Sequence, residues 1–330
     1  MYTIPSRRFL MNNPKKIRWL IAHEPIELFL RTAEAFSAKL NEIVPGRFEV
    51  EIYTVSQYLE KFGDTVKVPN EMHLAPSVKK YQTHPISNMD DGLLEMSQLN
   101  VGELAKLVNS NFWALELPFI FRDHDHAQKV LEGEIGKGLL NSLKENSPCQ
   151  GLAFTYSGGF RCVVSETELK NLEDFKGVRF GSLYSPVIVD TIKALGAESE
   201  VFSYDEFHGI DVDKESKYLS PVVETTIPRF LAELKGSAKR FMLNTKHNMF
   251  LTSIIASNTF LESLSKEDRD AIDQAVLFAS RAERKWSVTE AEEFAAKADH
   301  TDIGIEFAEL SQEETEKFKN LVQPVINRYR

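Results

Sequence analysis

The sequence predicts a two-lobed α/β protein, and three observations carry that prediction. Strand-like and helix-like periodicities alternate along most of the chain. The chain has 330 residues with 42% hydrophobic content, more naturally two cores than one. From Ser265, the stretch SKEDRDAIDQAVLFASRAERKWSVTEAEEFAAKA contains no proline or glycine, which suits a helix long enough to touch both lobes.

The elements follow in order. In KKIRWLIAHEP, Ile17, Trp19 and Ile21 alternate as in a strand buried more deeply on one face, with His23 and Glu24 at its carboxyl end. Phe29, Ala33, Phe36, Leu40 and Ile43 then form one helical stripe, stopped by Pro45 and Gly46. RFEVEIYTV alternates again, so strand, helix and strand form a right-handed crossover with parallel pairing. From Lys67 to Asp91 no period is sustained, and a long surface loop is expected. LLEMSQLNVGELAKLVNS returns to a helix-to-strand pattern, with LVNS as a strand that leaves Asn109, Ser110 and Asn111 near a cleft. QGLAFTYS and FRCVVS read as strands, SPVIVDTIKALG as a helix from Ser185 closed by Gly196, and SEVFSY as a short strand. Ser203 with Glu206 and Ser311 with Glu314 match the capping box that marks helix starts.

Charge excludes some partners. With 39 Lys plus Arg against 49 Asp plus Glu, the net charge of -10 offers no footprint for nucleic acid or an anionic membrane. No apolar run approaches the roughly 18 to 20 residues that span a bilayer, so no membrane insertion is expected. The first sixteen residues lack the apolar core of a secretory signal, and no signal peptide is visible in the chain. Cys149 and Cys162 define neither a disulfide framework nor a zinc site.

Chemical signatures are sparse. FRDHDHA gathers Arg122, Asp123, His124, Asp125 and His126, but on a helix His124 and His126 lie about 200° apart and cannot share one ion; the Asp123 to His126 step suits an N-cap instead. GxSxG, HExxH and GxxxxGK[ST] are absent. Cys162 beside Arg161 reads as a small apolar strand residue, because nothing identifies a general base for it. No catalytic residue, metal or cofactor is assigned. An arginine at the cleft edge of a strand needs no catalytic neighbour, since its planar fork binds carboxylate by itself. In open α/β sheets ligands meet the carboxyl ends of strands, here His23 and Glu24, Asn109 to Asn111, and the Tyr204 region.

LELPFIFRDHDHAQKVLEGEIGKGLLNSL, followed by GLAFTYSGGFR, NLEDFKGVRF and SPVIVDTIKALGAE, resembles the DctP-type solute-binding proteins of tripartite ATP-independent periplasmic (TRAP) transporters, from about Ile17 to the end. The resemblance implies a type II periplasmic-binding-protein-like fold with hinge crossovers. It divides the chain into lobe 1 (17–157 and about 248–261), lobe 2 (158–247), a lobe-spanning helix (262–300) and a C-terminal strand and helix (301–330) of either lobe.

In the family, a strand like DLKGLKIRVP carries the arginine that holds the ligand carboxylate. Here DFKGVRFGSL places Gly181 at that position, with Arg179 two residues earlier. Arg161, in GGFR, matches a second arginine that helps bind acids in some members, and is the residue expected to meet ligand; Arg179 is expected at the surface or between lobes. Tyr204 occupies the aromatic position over the ligand. Glu224 and Thr225 fall where the family has the glutamate and asparagine of QENP, with a few extra residues between Glu206 and Glu224. Ser182, Tyr184, Asn109, Ser110, His23 and Glu24 complete the ligand-binding candidates.

The resemblance implies a non-enzymatic periplasmic protein that captures a small, organic-acid-like solute and delivers it to TRAP membrane subunits. The alternative is a scaffold with altered or lost solute binding, acting in sensing or protein–protein interaction. An enzyme is supported only by the cluster near Asp123.

Overall fold

The computed structural model describes residues 13–23, 25–63, 85–183, 185–202, 221–233 and 239–330. Glu24, Tyr184, Tyr204 and the Ser203–Glu206 box lie outside them, as does most of the expected loop. The end of that loop differs from expectation, because Pro85–Asp90 forms a short helix, α3.

Lobe 1 begins with β1 (Lys15–Ile21), α1 (Ile26–Ile43), β2 (Phe48–Thr54) and α2 (Val55–Phe62). Strands β1 and β2 pair in parallel, as the crossover requires. After α3 come β3 (Met96–Asn100) and α4 (Val101–Leu107), so the strand in this region is MSQLN, and LVNS is not one. Asn100 ends β3 and caps α4 by accepting a hydrogen bond from the Gly102 N–H, which turns the chain into a helix three residues after Ser97. A 3-10 helix (Ser110–Glu116), α5 (His124–Glu132) and α6 (Glu134–Asn146) complete this half. Asp123 caps α5, accepting from the His126 N–H at 2.6 Å.

The segments QGLAFTYS and FRCVVS are one strand, β4 (Cys149–Ser165), which runs from one lobe into the other. Lobe 2 adds β5 (Arg179–Leu183), α7 (Pro186–Ala194), β6 (Glu198–Phe202), β7 (Val222–Thr226), α8 (Ile227–Glu233) and β8 (Arg240–Asn244). Strand β9 (Met249–Ser257) returns to lobe 1, followed by α9 (Asn258–Glu262), α10 (Lys266–Ala295), β10 (Ile305–Glu309) and α11 (Gln312–Arg328). The strand order is β2-β1-β3-β9-β4-β7-β5-β6, with β8 on β4 and β10 on β8. Strand β3 is antiparallel to β9 and β7 is antiparallel to β4, so the carboxyl ends of β1, β2 and β3 face those of β5, β6 and β7. A cleft between facing strand ends is the ligand position of open α/β sheets.

The crossing of β4 between lobes is built around two glycines. Its register with β9 shifts between Tyr156 and Gly159, where Gly158 and Gly159 take φ of 91° and 82°. A side chain at Gly158 would also place its Cβ 2.0 Å from Thr226 Oγ1. The N–H groups freed by this bulge are satisfied by α10: Tyr156 N–H donates to Glu283 Oε2 at 2.6 Å and Gly158 N–H to Ser287 Oγ at 3.1 Å. Ser287 Oγ in turn donates to Glu283 Oε1 at 2.7 Å. Burial pushes the Glu283 carboxyl up to about 7, against the hydrogen bonds from Ser287 and Tyr156.

Helix α10 runs Lys266–Ala295, within the expected 262–300. Its Ala271, Ile272, Ala275, Val276 and Ala279 pack on the predicted α1 stripe of Phe29, Ala33, Phe36 and Leu40. Its other end places Phe294 against Ile227 and Phe230 of lobe 2. The C-terminal elements sit with lobe 2. Strand β10 pairs with β8, Phe318 and Val322 of α11 join Leu172, Phe175 and Phe180, and Arg328 and Tyr329 bind Asp190 on α7. Among the described residues no helix is long and apolar enough to cross a membrane.

Candidate functional site

Strand register brings the lobe 2 residues together. Val163 pairs with Glu224 and Arg161 with Thr226 across β4 and β7, and Phe180 pairs with Val222 across β5 and β7. Alternation therefore puts Arg161, Glu224 and Ser182 on one face of the sheet at its cleft end. Thr225, opposite Cys162, lies on the other face with Gly181.

Arg161 is 5% exposed and does not stand alone. Its Nη1 lies 3.1 Å from Glu224 Oε1, and Glu224 Oε2 lies 3.1 Å from His247 Nε2. His247 Nδ1 meets Thr245 Oγ1 at 2.7 Å, so the Glu224 carboxylate that pairs with the guanidinium is itself held by a hydrogen-bonded chain of buried side chains through His247 to Thr245. Burial alone would raise the Glu224 carboxyl, but Arg161 and His247 override it and hold it below its ordinary value. Phe119 and Lys246, both non-glycine residues with positive φ, flank this chain, with Phe119 N–H donating to the His247 carbonyl and Lys246 N–H to the Arg161 carbonyl.

Two charged residues that sequence reasoning left aside, Arg229 and Glu116, also belong here. Arg229, on α8, is 3% exposed and donates to Ser157 Oγ at 2.8 Å. Both guanidiniums lie against the Phe250 ring, Arg161 at 4.3 Å and Arg229 at 4.6 Å from its centroid. Glu116, at the end of the 3-10 helix, accepts a 2.5 Å hydrogen bond at Oε2 from Ser185 Oγ at the start of α7. Ser185 also accepts from the Ile188 N–H, capping α7. Burial pushes the Glu116 carboxyl up to about 7, opposed by the Ser185 hydrogen bond and by Arg161 and assisted by Glu224. Gly102 makes room for it, since a Cβ there would stand 3.0 Å from Glu116 Oε1. The signals were a lone carboxylate in the apolar run WALELPFIF and a lone cation in TIPRFL.

Other candidates have structural partners. His23 Nε2 accepts from the Asn100 N–H at 3.2 Å and lies 3.4 Å from the Glu103 carboxylate, at the end of β1. Asn109 caps the 3-10 helix through the Asn111 N–H and donates to Ser142 Oγ on α6 at 2.6 Å; Ser110 beside it is exposed. They follow a helix, so they are not at a strand end. Ser182 is 1% exposed, and its Oγ has no hydrogen-bond partner, like Arg161 Nε and Asn248 Oδ1. Arg179 pairs with Glu200 on the surface. Burial drives the Cys162 thiol up to about 12, which suits an apolar strand residue. Among the described residues no group of three or more His, Cys, Asp or Glu side chains is placed to hold a metal ion.

Two α/β lobes joined by crossing strands, with buried polar side chains where their strand ends meet, define a two-lobed binding protein. The chain belongs to the bacterial extracellular solute-binding protein family 7, the DctP family, whose profile matches residues 22–209 and 224–330. The interruption falls where extra residues were expected, between Glu206 and Glu224. The C4-dicarboxylate-binding periplasmic protein DctP of Rhodobacter capsulatus is 25% identical over 237 residues, 71% of this chain and 68% of that protein. A TRAP periplasmic solute binding protein from Pseudomonas putida F1, with bound D-glucuronate, superposes with a TM-score of 0.74 at 19% identity, covering 95% of this chain and 92% of that one. Another, from Ochrobactrum anthropi with its C-terminus bound in the ligand binding pocket, gives 0.73 at 23% identity, covering 96% and 90%.

Proposed function

We propose that this chain is the periplasmic receptor of a TRAP-type transporter, capturing a small organic-acid-like solute between its lobes and handing it to the membrane subunits, without catalysing a reaction. The observation that carries this reading is the buried Arg161, held by Glu224 and stacked on Phe250 at the cleft end of lobe 2. A guanidinium fixed in this way loses little freedom on meeting a carboxylate, so its hydrogen bonds are not spent on ordering the side chain. Closure would be a hinge motion at the Gly158–Gly159 crossing on the microsecond to millisecond scale. Ser182 and His23 are the remaining described cleft-edge candidates, and relatives whose names or bound ligands are C4-dicarboxylates and D-glucuronate support an acid as the solute class.

Native mass spectrometry of the purified chain, followed by calorimetric titration with small organic acids, sugar acids and amino acids, tests the reading. A saturable one-to-one complex lost in Arg161→Ala is expected. Absence of any complex, with a protein partner captured by the solute-free chain, would favour the interaction-scaffold alternative.

A further inference from the structure

Among the described residues at the cleft edge, buried charges of both signs stand close together. Two buried guanidiniums, Arg161 and Arg229, share the Phe250 ring. Two buried carboxyls accompany them: Glu224, 3.1 Å from Arg161, and Glu116, which accepts from Ser185 Oγ and whose backbone carbonyl accepts from the Asn248 side-chain amide, while the Asn248 carbonyl accepts from the Arg161 N–H. At its cleft end β5 carries Gly181, which brings no charge. Ser182, next to it, offers an uncharged hydroxyl on the Arg161 face.

A dicarboxylate entering such a site brings two negative charges to a place where buried carboxyls already stand beside the guanidiniums. Juxtaposed like charges out of water repel strongly, and an uncompensated buried ion is costlier than a paired one. A solute with a carboxylate at one end and an ammonium at the other adds no net charge. Its carboxylate suits the arginine side and its ammonium the Glu116 side. The unsatisfied buried groups are of both kinds as well: Arg161 Nε lacks an acceptor, Asn248 Oδ1 lacks a donor, and Ser182 Oγ can serve as either.

Building on the solute-capture reading, we infer that the cleft selects zwitterions of amino-acid size over dicarboxylates, with Glu116 as the residue that sets this preference. Glu116→Gln keeps a carbonyl oxygen to accept from Ser185 while removing the charge, so it separates charge selection from the Ser185 hydrogen bond.

The test is calorimetric titration of the full chain at pH 8 with α-amino acids and 4-aminobutyrate on one side and succinate and L-malate on the other, repeated with Glu116→Gln. At least one zwitterion is expected to bind about tenfold or more tighter than either dicarboxylate, and Glu116→Gln is expected to shrink that ratio. Thermal unfolding of the variant confirms its fold, and the wild-type ratio stands as a measurement without it. Succinate or L-malate binding as tightly as every zwitterion, with the ratio unmoved by Glu116→Gln, would overturn the inference while leaving solute capture intact. Failure of both classes to bind would overturn the inference and count against the capture reading itself.

Discussion

Arg161 and Arg179 stand on neighbouring segments of the same lobe, each paired with a glutamate, yet the two pairs have little else in common. Arg161 and Glu224 have side chains 6% and 3% exposed, whereas those of Arg179 and Glu200 are 56% and 29% exposed. The surface pair has the better geometry, bidentate at 2.7 and 3.0 Å. Geometry alone is therefore a poor guide to importance. Strand register decides it: Arg161 lies at the meeting of β4 and β7, on the face covered by α7 and α11, while Arg179 begins β5 at the far end from the cleft.

The largest expected difference between the pairs comes from breaking each one. Glu224→Ala leaves Arg161 buried without its carboxylate and is expected to lower the unfolding free energy by about 3 to 5 kcal/mol, read from urea denaturation at pH 7. A loss below about 1 kcal/mol would put the buried pair on the same footing as a surface one.

Acidity separates buried carboxyls by sign. Glu116 and Glu283 are pushed up to about 7 in the folded chain from an ordinary value of 4.5, so between those values the folded state holds more protons than the unfolded one. Stability should then fall as pH rises through that window, by roughly 3 kcal/mol per group. Glu224, held below 4.5, acts in the opposite sense: its contribution is present above pH 4.5 and is lost on acidification. Denaturation from pH 4 to 8 checks both signs, and the double variant Glu116→Gln, Glu283→Gln should flatten the upper limb. A wild-type profile that rises from pH 5 to 7 would contradict this assignment.

A smaller effect is expected at the crossing itself. Gly158→Ala forces a Cβ onto Thr226 Oγ1 at a positive φ and should cost about 2 kcal/mol or more. It should also loosen the Tyr156 and Gly158 N–H groups held by α10, seen as faster amide exchange there. Arg179→Ala should have the smallest effect on stability, one that fades with added salt because the pair is solvated.

The elements with a sustained period were legible. The β1 alternation, the α1 stripe and the uninterrupted α10 all follow from side-chain spacing, and Asp123 was readable as a cap because capping is local. Strand β4 looked like two strands because two glycines in a row read as a breaker, whereas here they supply the positive φ of a bulge inside one strand. LVNS was misplaced because a short helix that starts directly at the end of a strand has no room for a full apolar period. In the site, Arg161 and Glu224 were named, but their mutual pairing was not, since it depends on the register of strands 63 residues apart. Glu116 and Arg229 each appeared as one charge in an apolar run, and only tertiary packing brings them to the cleft edge.

The most direct test of solute capture at Arg161 is the ligand-induced shift in unfolding free energy for Arg161→Ala and Arg179→Ala side by side, using whichever solute binds the wild-type chain. At 100 times its Kd that solute adds about 2.7 kcal/mol to the wild type. Arg179→Ala should retain that increment and Arg161→Ala should lose it. Retention by both variants, or loss in Arg179→Ala alone, would contradict the placement of the solute at the buried arginine.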